Sequence, residues 1–306
     1  MKRDFITLED YTEDEISQLI DLTGQLKNGK VHQMGRLTGK TVGLVFQKPS
    51  NRTRVSFQVG VWQLGGNCLY LSPSEINLGV RESIYDVAKT LSRYLNCIVA
   101  RTNLHKDVVE LAKHATIPVI NGLCDLHHPC QALTDLFSIK EKLGGLKGLT
   151  LAYVGDGNNV CNSLLIGAAK TGLHVNVATP KGYEPDAKMV NLAKAIAKKT
   201  DSKIVLTSSP QEAVKGAHVI YSDTWVSMGQ EEETKKRLKD FQEFQINAKL
   251  TKLADKDYIF MHCLPAHRGQ EVTEDIIDGK HSIIFDQAEN RLHTQKAILI
   301  TLLEKG

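Results

Sequence analysis

What most limits the folds open to this chain is a unit of strand, polar corner and helix. Thr41 to Phe46 is an apolar run of strand length that breaks at Pro49, and a helical pattern restarts from about Thr53. Gly65-Gly66 ends that helix, Cys68 to Leu71 reads as a second strand, and a loop from Ser72 to Arg81 leads to a helix from Ser83 to Leu95. A strand from Cys97 to Arg101, a helix from about Lys106 to His114, a strand from Pro118 to Asn121 and a helix from Pro129 to Leu143 continue the pattern. Short buried strands alternating with longer helices predict an α/β fold with parallel sheets covered on both faces.

Residues 8 to 30 read as an opening helix with acids ahead of it. The cluster Gly144-Gly145-Leu-Lys-Gly148 marks a domain joint, and a second alternating series follows it. Its strands are expected at Thr150 to Val154, His174 to Ala178, Lys203 to Leu206, His218 to Ser222, Tyr258 to His262 and Ser282 to Phe285. Its helices are expected at Cys161 to Thr171 and Ala187 to Lys199, with a closing amphipathic helix from Ala288 to Leu303. A chain of 306 residues is long for one core. The expected domains are therefore 1–143 and 149–288, with the last helix, 289–306, packing back on the first.

Total charge says little about partners. With 38 basic and 35 acidic residues and a net +3, no field points to nucleic acid or membrane, so any attraction for anions must be local. The start Met-Lys-Arg-Asp-Phe lacks an apolar core of signal-peptide length, and no run approaches the roughly 20 apolar residues of a membrane span. A cytoplasmic protein is expected. The six cysteines contain no C-x-x-C pair and are expected to be free thiols.

In open parallel sheets ligands bind beyond the carboxyl ends of the strands. In the first domain those ends offer Ser50-Asn51-Arg52-Thr53, Arg101-Thr102-Asn103, and Asn121 onward to His127-His128-Pro129-Cys130-Gln131. The Ser50 corner suits an anion, because a helix start presents unpaired N–H groups, here with hydroxyls and a guanidinium; it equally suits a plain helix cap. His128 reads either as a donor aimed at a carbonyl oxygen or as a histidine bonded in a polar loop. The second domain offers Gly155-Asp-Gly-Asn-Asn159, Asp223 to Gly229, and Cys263 to Gly269. There Asp223 can pair with an ammonium while Ser227 and Met228 close over a substrate, with Gly229 as hinge. Cys263 follows a strand directly, where a thiol is either packing or reactive.

Two cofactor readings fail on spacing. Gly155-x-Gly157-x-x-Val160 lacks the third glycine of a dinucleotide fingerprint, and Thr179-Pro180 stands where an acidic ribose partner belongs. Cys124, His127, His128 and Cys130 match no zinc module. Neither a cofactor nor a metal is expected.

Four motifs in order resemble the ornithine carbamoyltransferases over nearly the whole chain: Ser50-Asn-Arg-Thr-Arg54, His128-Pro-Cys-Gln131, Asp223-x-x-x-Ser-Met-Gly229 and His262-Cys-Leu-Pro265. The resemblance implies two α/β domains with the active site in the cleft between them, a homotrimer, and carbamoyl transfer from carbamoyl phosphate to the δ-amine of ornithine. It implies that Ser50, Asn51, Arg52, Thr53, Arg101, His128, Gln131 and Arg291 hold carbamoyl phosphate, with the Leu264 carbonyl on its NH2 group. Asn159, Asp223, Ser227 and Met228 would hold ornithine, with Cys263 at the reacting amine. Two departures stand out: Asn51 replaces the usual threonine, and Asn77 occupies the place where relatives often put a glutamine that reaches a neighbouring subunit's site.

The residues suggest how such a reaction would run. Arg52, Arg101 and Arg291 can neutralise a phosphate as it leaves, while Arg101, Thr53 and His128 polarise the carbonyl oxygen. An alkylammonium with a pKa near about 10.4 must lose a proton before it attacks. Cys263, in an arginine-rich corner, is expected to orient the amine and take that proton. The competing substrates are putrescine or N-acetylornithine, and Asp223 separates them, since it has a role only opposite a free α-ammonium.

Overall fold

The computed structural model describes residues 2–226 and 231–304. The chain forms two compact units, Met1–Phe137 with Glu289–Gly306, and Ser138–Ala288. Each holds one all-parallel sheet.

In the first unit β1 (Thr41–Phe46), β2 (Asn67–Leu71), β3 (Cys97–Arg101) and β4 (Val119–Leu123) lie in the order β2-β1-β3-β4. The central strands β1 and β3 are almost wholly buried, as expected for strands covered on both faces. The edge strand β2 alternates in exposure, so its burial follows the period of two that the interior strands lack. Phe46 pairs with Arg101, which brings the chain off both strands at one level. A core of Val45, Ile84, Val87, Ile98, Val108 and Leu111 joins this sheet to its helices.

In the second unit β5 (Thr150–Val154), β6 (His174–Ala178), β7 (Ile204–Thr207), β8 (Val219–Ser222) and β9 (Ile259–His262) lie in the order β7-β6-β5-β8-β9. Its core gathers Val154, Ile220, Trp225, Phe241, Phe244 and Phe260. Polar caps start the helices on this sheet. Asn158 accepts from the N–H groups of Val160 and Cys161, and Asp186 from those of Lys188 and Met189.

The strand expected at Ser282 to Phe285 does not form. A single bridge joins Phe260 and Ser282, after which helix Ile284–Leu303 begins, four residues ahead of the expected Ala288. The run Ser-Ile-Ile-Phe is too short to tell a buried strand from the first turn of a buried helix. The loop expected from Ser72 to Arg81 contains a short helix, Pro73–Ile76, and further short helices occupy Pro210–Val214, Thr234–Asp240 and Ala248–Thr251. Gly144-Gly145 follow helix Pro129–Leu143 within the second unit. Among the described residues no helix is long and apolar enough to cross a membrane.

Candidate active site

In both sheets the strand order reverses direction between neighbouring strands, β1 and β3 in one and β5 and β8 in the other. Ligand crevices of open α/β sheets form beyond the carboxyl ends of the strands at such points.

In the first unit β1 runs into Ser50, whose extended backbone and side-chain oxygen cap helix Asn51–Gln63 by accepting from Thr53 N at 3.3 Å. Capping does not exclude an anion here, because one hydroxyl satisfies only one of the donors in the first turn. Arg54 turns away: its guanidinium stacks 3.9 Å from the Tyr70 ring centroid and its Nε donates to Gln58. Beside the corner, β3 ends on Arg101, which is 7% exposed. After β4, Gln131 N donates to the carbonyl of His128 at the start of helix Pro129–Leu143.

The last helix completes this cluster. Arg291 donates from Nη1 to Gln131 Oε1 at 2.5 Å and from Nη2 to Thr53 Oγ1 at 3.4 Å, tying the Ser50 corner to the His128 segment. Gln131 in turn donates to buried Asp135 at 2.7 Å. The amide thus links the Arg291 guanidinium to the Asp135 carboxylate.

The electrostatics follow from crowding like charges under cover. Burial, and then the guanidinium groups of Arg291 and Arg52, push Arg101 down to about 10. Burial, and then Arg291, Arg101, Arg52 and Lys48, hold His128 well below the ordinary histidine value, so it is neutral at physiological pH. Lys48 is likewise lowered by burial and by Arg101. Nothing in the motif reading singled out Lys48, because a lysine after a strand is usually solvated. Exposed Asn77, left-handed at the end of helix Pro73–Ile76, makes no side-chain hydrogen bond to this cluster among the described residues.

In the second unit the site is built around Asp223, buried after β8. Its Oδ2 accepts from Asn158 Nδ2 at 2.7 Å, and its Oδ1 accepts from Cys263 Sγ at 2.9 Å and from Thr224 N at 2.8 Å. Asn158, not singled out beside Asn159, therefore both caps its helix and aims the carboxylate. Asn159 is the first residue of that helix. Ser227 and Met228 lie outside the described residues. Leu264 follows Cys263 with positive φ, its N–H donating to His262 Nδ1 at 2.9 Å.

The ligand atoms of Asp223, His262 and Cys263 lie within 4.8 Å of one another, close enough to suggest a metal site. Histidine decides against that: Nδ1 already accepts from Leu264 N, and Nε2 faces buried Glu271 at 3.4 Å. The earlier zinc grouping also dissolves, since Cys124 takes donors from Asn121 and His127 N while Cys130 bonds to Asn121 O. A nucleotide reading of Gly155-x-Gly157 fails on space. A Cβ on Gly157 would lie 2.2 Å from Pro185 N, so this glycine admits the protein's own backbone.

Both halves of the chain match family models: the carbamoyl-P binding domain of aspartate/ornithine carbamoyltransferase over residues 3–141, and its Asp/Orn binding domain over 147–302. The chain belongs to the aspartate/ornithine carbamoyltransferase family. Among individual members of this family it is 55% identical over 305 residues to the ornithine carbamoyltransferase of Oceanobacillus iheyensis, covering 98% of this chain and 94% of that one. The solved ornithine carbamoyltransferase of Pyrococcus furiosus superposes with a TM-score of 0.96 at 52% identity, covering 100% of this chain and 98% of that one. That of Thermus thermophilus gives 0.89 at 47% identity, with 99% of each chain covered. In carbamoyltransferase terms, the cationic cluster falls in the segment matched by the carbamoyl-P model, apart from Arg291, and the Asp223 cluster in the segment matched by the Asp/Orn model.

Proposed function

We propose that this carbamoyltransferase moves the carbamoyl group of carbamoyl phosphate to the δ-amine of L-ornithine, giving L-citrulline and phosphate. The observation that supports the choice of amine is Asp223, a buried carboxylate to which Asn158 donates; on this reading it pairs with a free α-ammonium. Putrescine and N-acetylornithine lack that ammonium, and aspartate brings a second carboxylate toward the first. The relatives named ornithine carbamoyltransferase, at 52–55% identity, support the same choice.

The first unit's residues supply charge. The dianionic phosphate is held by Arg52, Arg101, Arg291 and the first-turn N–H groups after Ser50, with Asn51 and Thr53 at its edge. Neutral His128 donates to the carbonyl oxygen alongside Arg101 and Thr53, and Gln131 holds Arg291. As the amine nitrogen bonds to the carbonyl carbon, the C–O bond to phosphate breaks and its electrons leave with the phosphate into the guanidinium cluster. The amine's proton passes to Cys263 acting as thiolate, while Asp223 holds the α-ammonium. Cys263 orients the nitrogen lone pair, the Leu264 carbonyl accepts from the carbamoyl NH2, and no acyl-enzyme is needed because the leaving group is already good. Asn159, Ser227 and Met228 complete the ornithine side.

We further propose a cytoplasmic homotrimer acting in arginine biosynthesis. Exposed Val55, Trp62, Leu69 and Val80 on the first unit are apolar surface suited to contact with a second copy, and the Asn77 carbonyl accepts from Val80 N. The Pyrococcus furiosus relative is named an anabolic enzyme. Citrulline formation measured in parallel with ornithine, putrescine, N-acetylornithine and aspartate tests the substrate, and turnover with another amine in preference to ornithine would reject it. Sedimentation tests the assembly, where a monomer at working concentration would remove the trimer.

A further inference from the structure

Asp156 stands between the two glycines of the broken dinucleotide motif, and the chemistry above gives it no part. It is 7% exposed at the end of β5, and its Oδ2 accepts from Arg237 Nη1 at 3.0 Å, in an arginine that is itself 6% exposed. The same Nη1 donates to the carbonyl of Trp225 at 3.0 Å, and Nε donates to Glu233 at 2.9 Å. On its other flank, the backbone carbonyl of Asp156 accepts from the Tyr153 hydroxyl at 2.9 Å, and that hydroxyl lies 3.2 Å from Asn158 Oδ1. Asn158 then holds Asp223. Asp156 is thus connected to Asp223 from both sides, through Tyr153 and Asn158 to the carboxylate and through Arg237 to the backbone two residues beyond it.

We propose that the Asp156–Arg237 ion pair is the positioning element of the amine half-site: it fixes Asn158 and Trp225 so that Asp223 meets the substrate ammonium in one orientation. The inference rests on the ornithine reading and deepens it. A neutral pair of similar shape would hold the same packing but not the arginine, which is shared between two carboxylates and a carbonyl and is drawn into the interior by charge. Losing the charge on Asp156 releases Arg237 toward exposed Glu233, and the Trp225 carbonyl loses its donor.

The pair also reports on pH. Burial raises Asp156 to about 6 against the opposing pull of Arg237, and Asp223 and Glu233 add to the rise. The other groups facing it, the Tyr153 phenol and the Cys161 thiol, are raised well above their ordinary values and stay neutral. Tyr183, whose ring lies under the Arg237 guanidinium, is raised as well and donates to Asp240. Protonation of Asp156 below about 6 should therefore weaken amine binding and leave carbamoyl phosphate untouched.

The test is steady-state citrulline formation by the full-length protein from about pH 5.5 to 8.5, with ornithine varied and carbamoyl phosphate saturating, for the wild type, Asp156→Asn, Arg237→Gln and the double variant. Each single variant should raise the ornithine KM roughly tenfold at the alkaline end, equivalent to about 1.4 kcal/mol. Asp156→Asn should lack the extra rise in KM that the wild type shows as pH falls through 6, and the double variant should be no worse than the worse single one. The carbamoyl phosphate KM should stay within about twofold, as uniform binding at an untouched site requires. Asp156→Asn with wild-type ornithine KM and acid limb overturns the proposal, as does equal loss of both substrates together with thermal stability. If Asp156→Asn does not fold, Arg237→Lys, which keeps the charge, should recover part of the ornithine KM lost in Arg237→Gln; no recovery overturns it too. A wild type that makes no citrulline overturns the ornithine reading and this inference together, whereas an active wild type with unmoved variants overturns this inference alone.

Discussion

Arg101→Met should make the ligand-free protein more stable while removing its affinity for carbamoyl phosphate. Arg101 is charged at neutral pH whether folded or unfolded, yet in the fold burial and the guanidinium groups of Arg291 and Arg52 lower it to about 10. At about 1.4 kcal/mol per pK unit, the gap from ordinary arginine corresponds to roughly 3 kcal/mol of destabilisation. For a cation with a lowered pKa this cost is present in full below about 10 and fades only as pH rises beyond the folded value. Methionine keeps the length and apolar stem and removes the charge. After allowing for lost hydrogen bonds, the net gain should be about 1–2 kcal/mol, visible as a Tm higher by roughly 2–8 °C for a domain of this size. Thermal unfolding with and without carbamoyl phosphate is the assay. The wild type should shift upward with ligand and the variant should not, and turnover should fall by about 10² or more, as for loss of one donor to a developing oxyanion. A variant less stable than wild type that still shifts with carbamoyl phosphate would refute the idea that this cluster crowds like charges for its ligand.

Cys263→Ala should lower turnover and shift its pH profile while retaining the thermal shift with carbamoyl phosphate; kinetics unchanged across pH would remove Cys263 from proton handling. Asn158→Ala removes the donor 2.7 Å from Asp223 and a helix cap, so the ornithine KM should rise roughly tenfold and stability fall by about 1 kcal/mol. Unaltered ornithine affinity would show that Asp223 is aimed by other groups. Gly157→Ala places a Cβ 2.2 Å from Pro185 N and should destabilise the second unit by about 3 kcal/mol or more in urea titration, whereas a loss under about 0.5 kcal/mol would mean that the 184–185 backbone yields freely.

The parts of the fold legible in the sequence are those where burial and chain breakers agree. β1, β3, β5 and β6 begin and end where their apolar runs do, because each is flanked by glycine, proline, lysine or a polar corner. Helix Pro129–Leu143 was equally plain, with proline at its first turn and glycine after its last. Between Pro210 and Thr251 the helices are short and polar, so no periodicity accumulates. The candidate site divides the same way. Residues at or just beyond a strand's carboxyl end, such as Ser50, Arg101, Asp223 and Cys263, are found by asking where a parallel sheet ends. Arg291 lies in mid-helix, and its place beside Thr53 and Gln131 is set by packing of segments far apart in sequence; only the family resemblance pointed to it. Asp156 and Arg237 are 81 positions apart, and no local pattern connects them.

The two clusters also differ in how their charge is balanced. Around Asp223, the anion already has an amide, a thiol and a backbone N–H within hydrogen-bonding distance. Such a carboxylate is preorganised: an ammonium finds it oriented and has little reorganisation to drive. Around Arg101 like charges are crowded under cover: Asp135 accepts from Gln131, Gln131 accepts from Arg291, and three guanidinium groups bear on a neutral His128. On the proposed reading, a dianion entering there would relieve repulsion between these cations, so its binding would be favoured by more than its own contacts. The relief would be larger as the carbonyl oxygen and the departing phosphate gain negative charge, which is the condition for interactions that speed a reaction instead of merely holding its substrate.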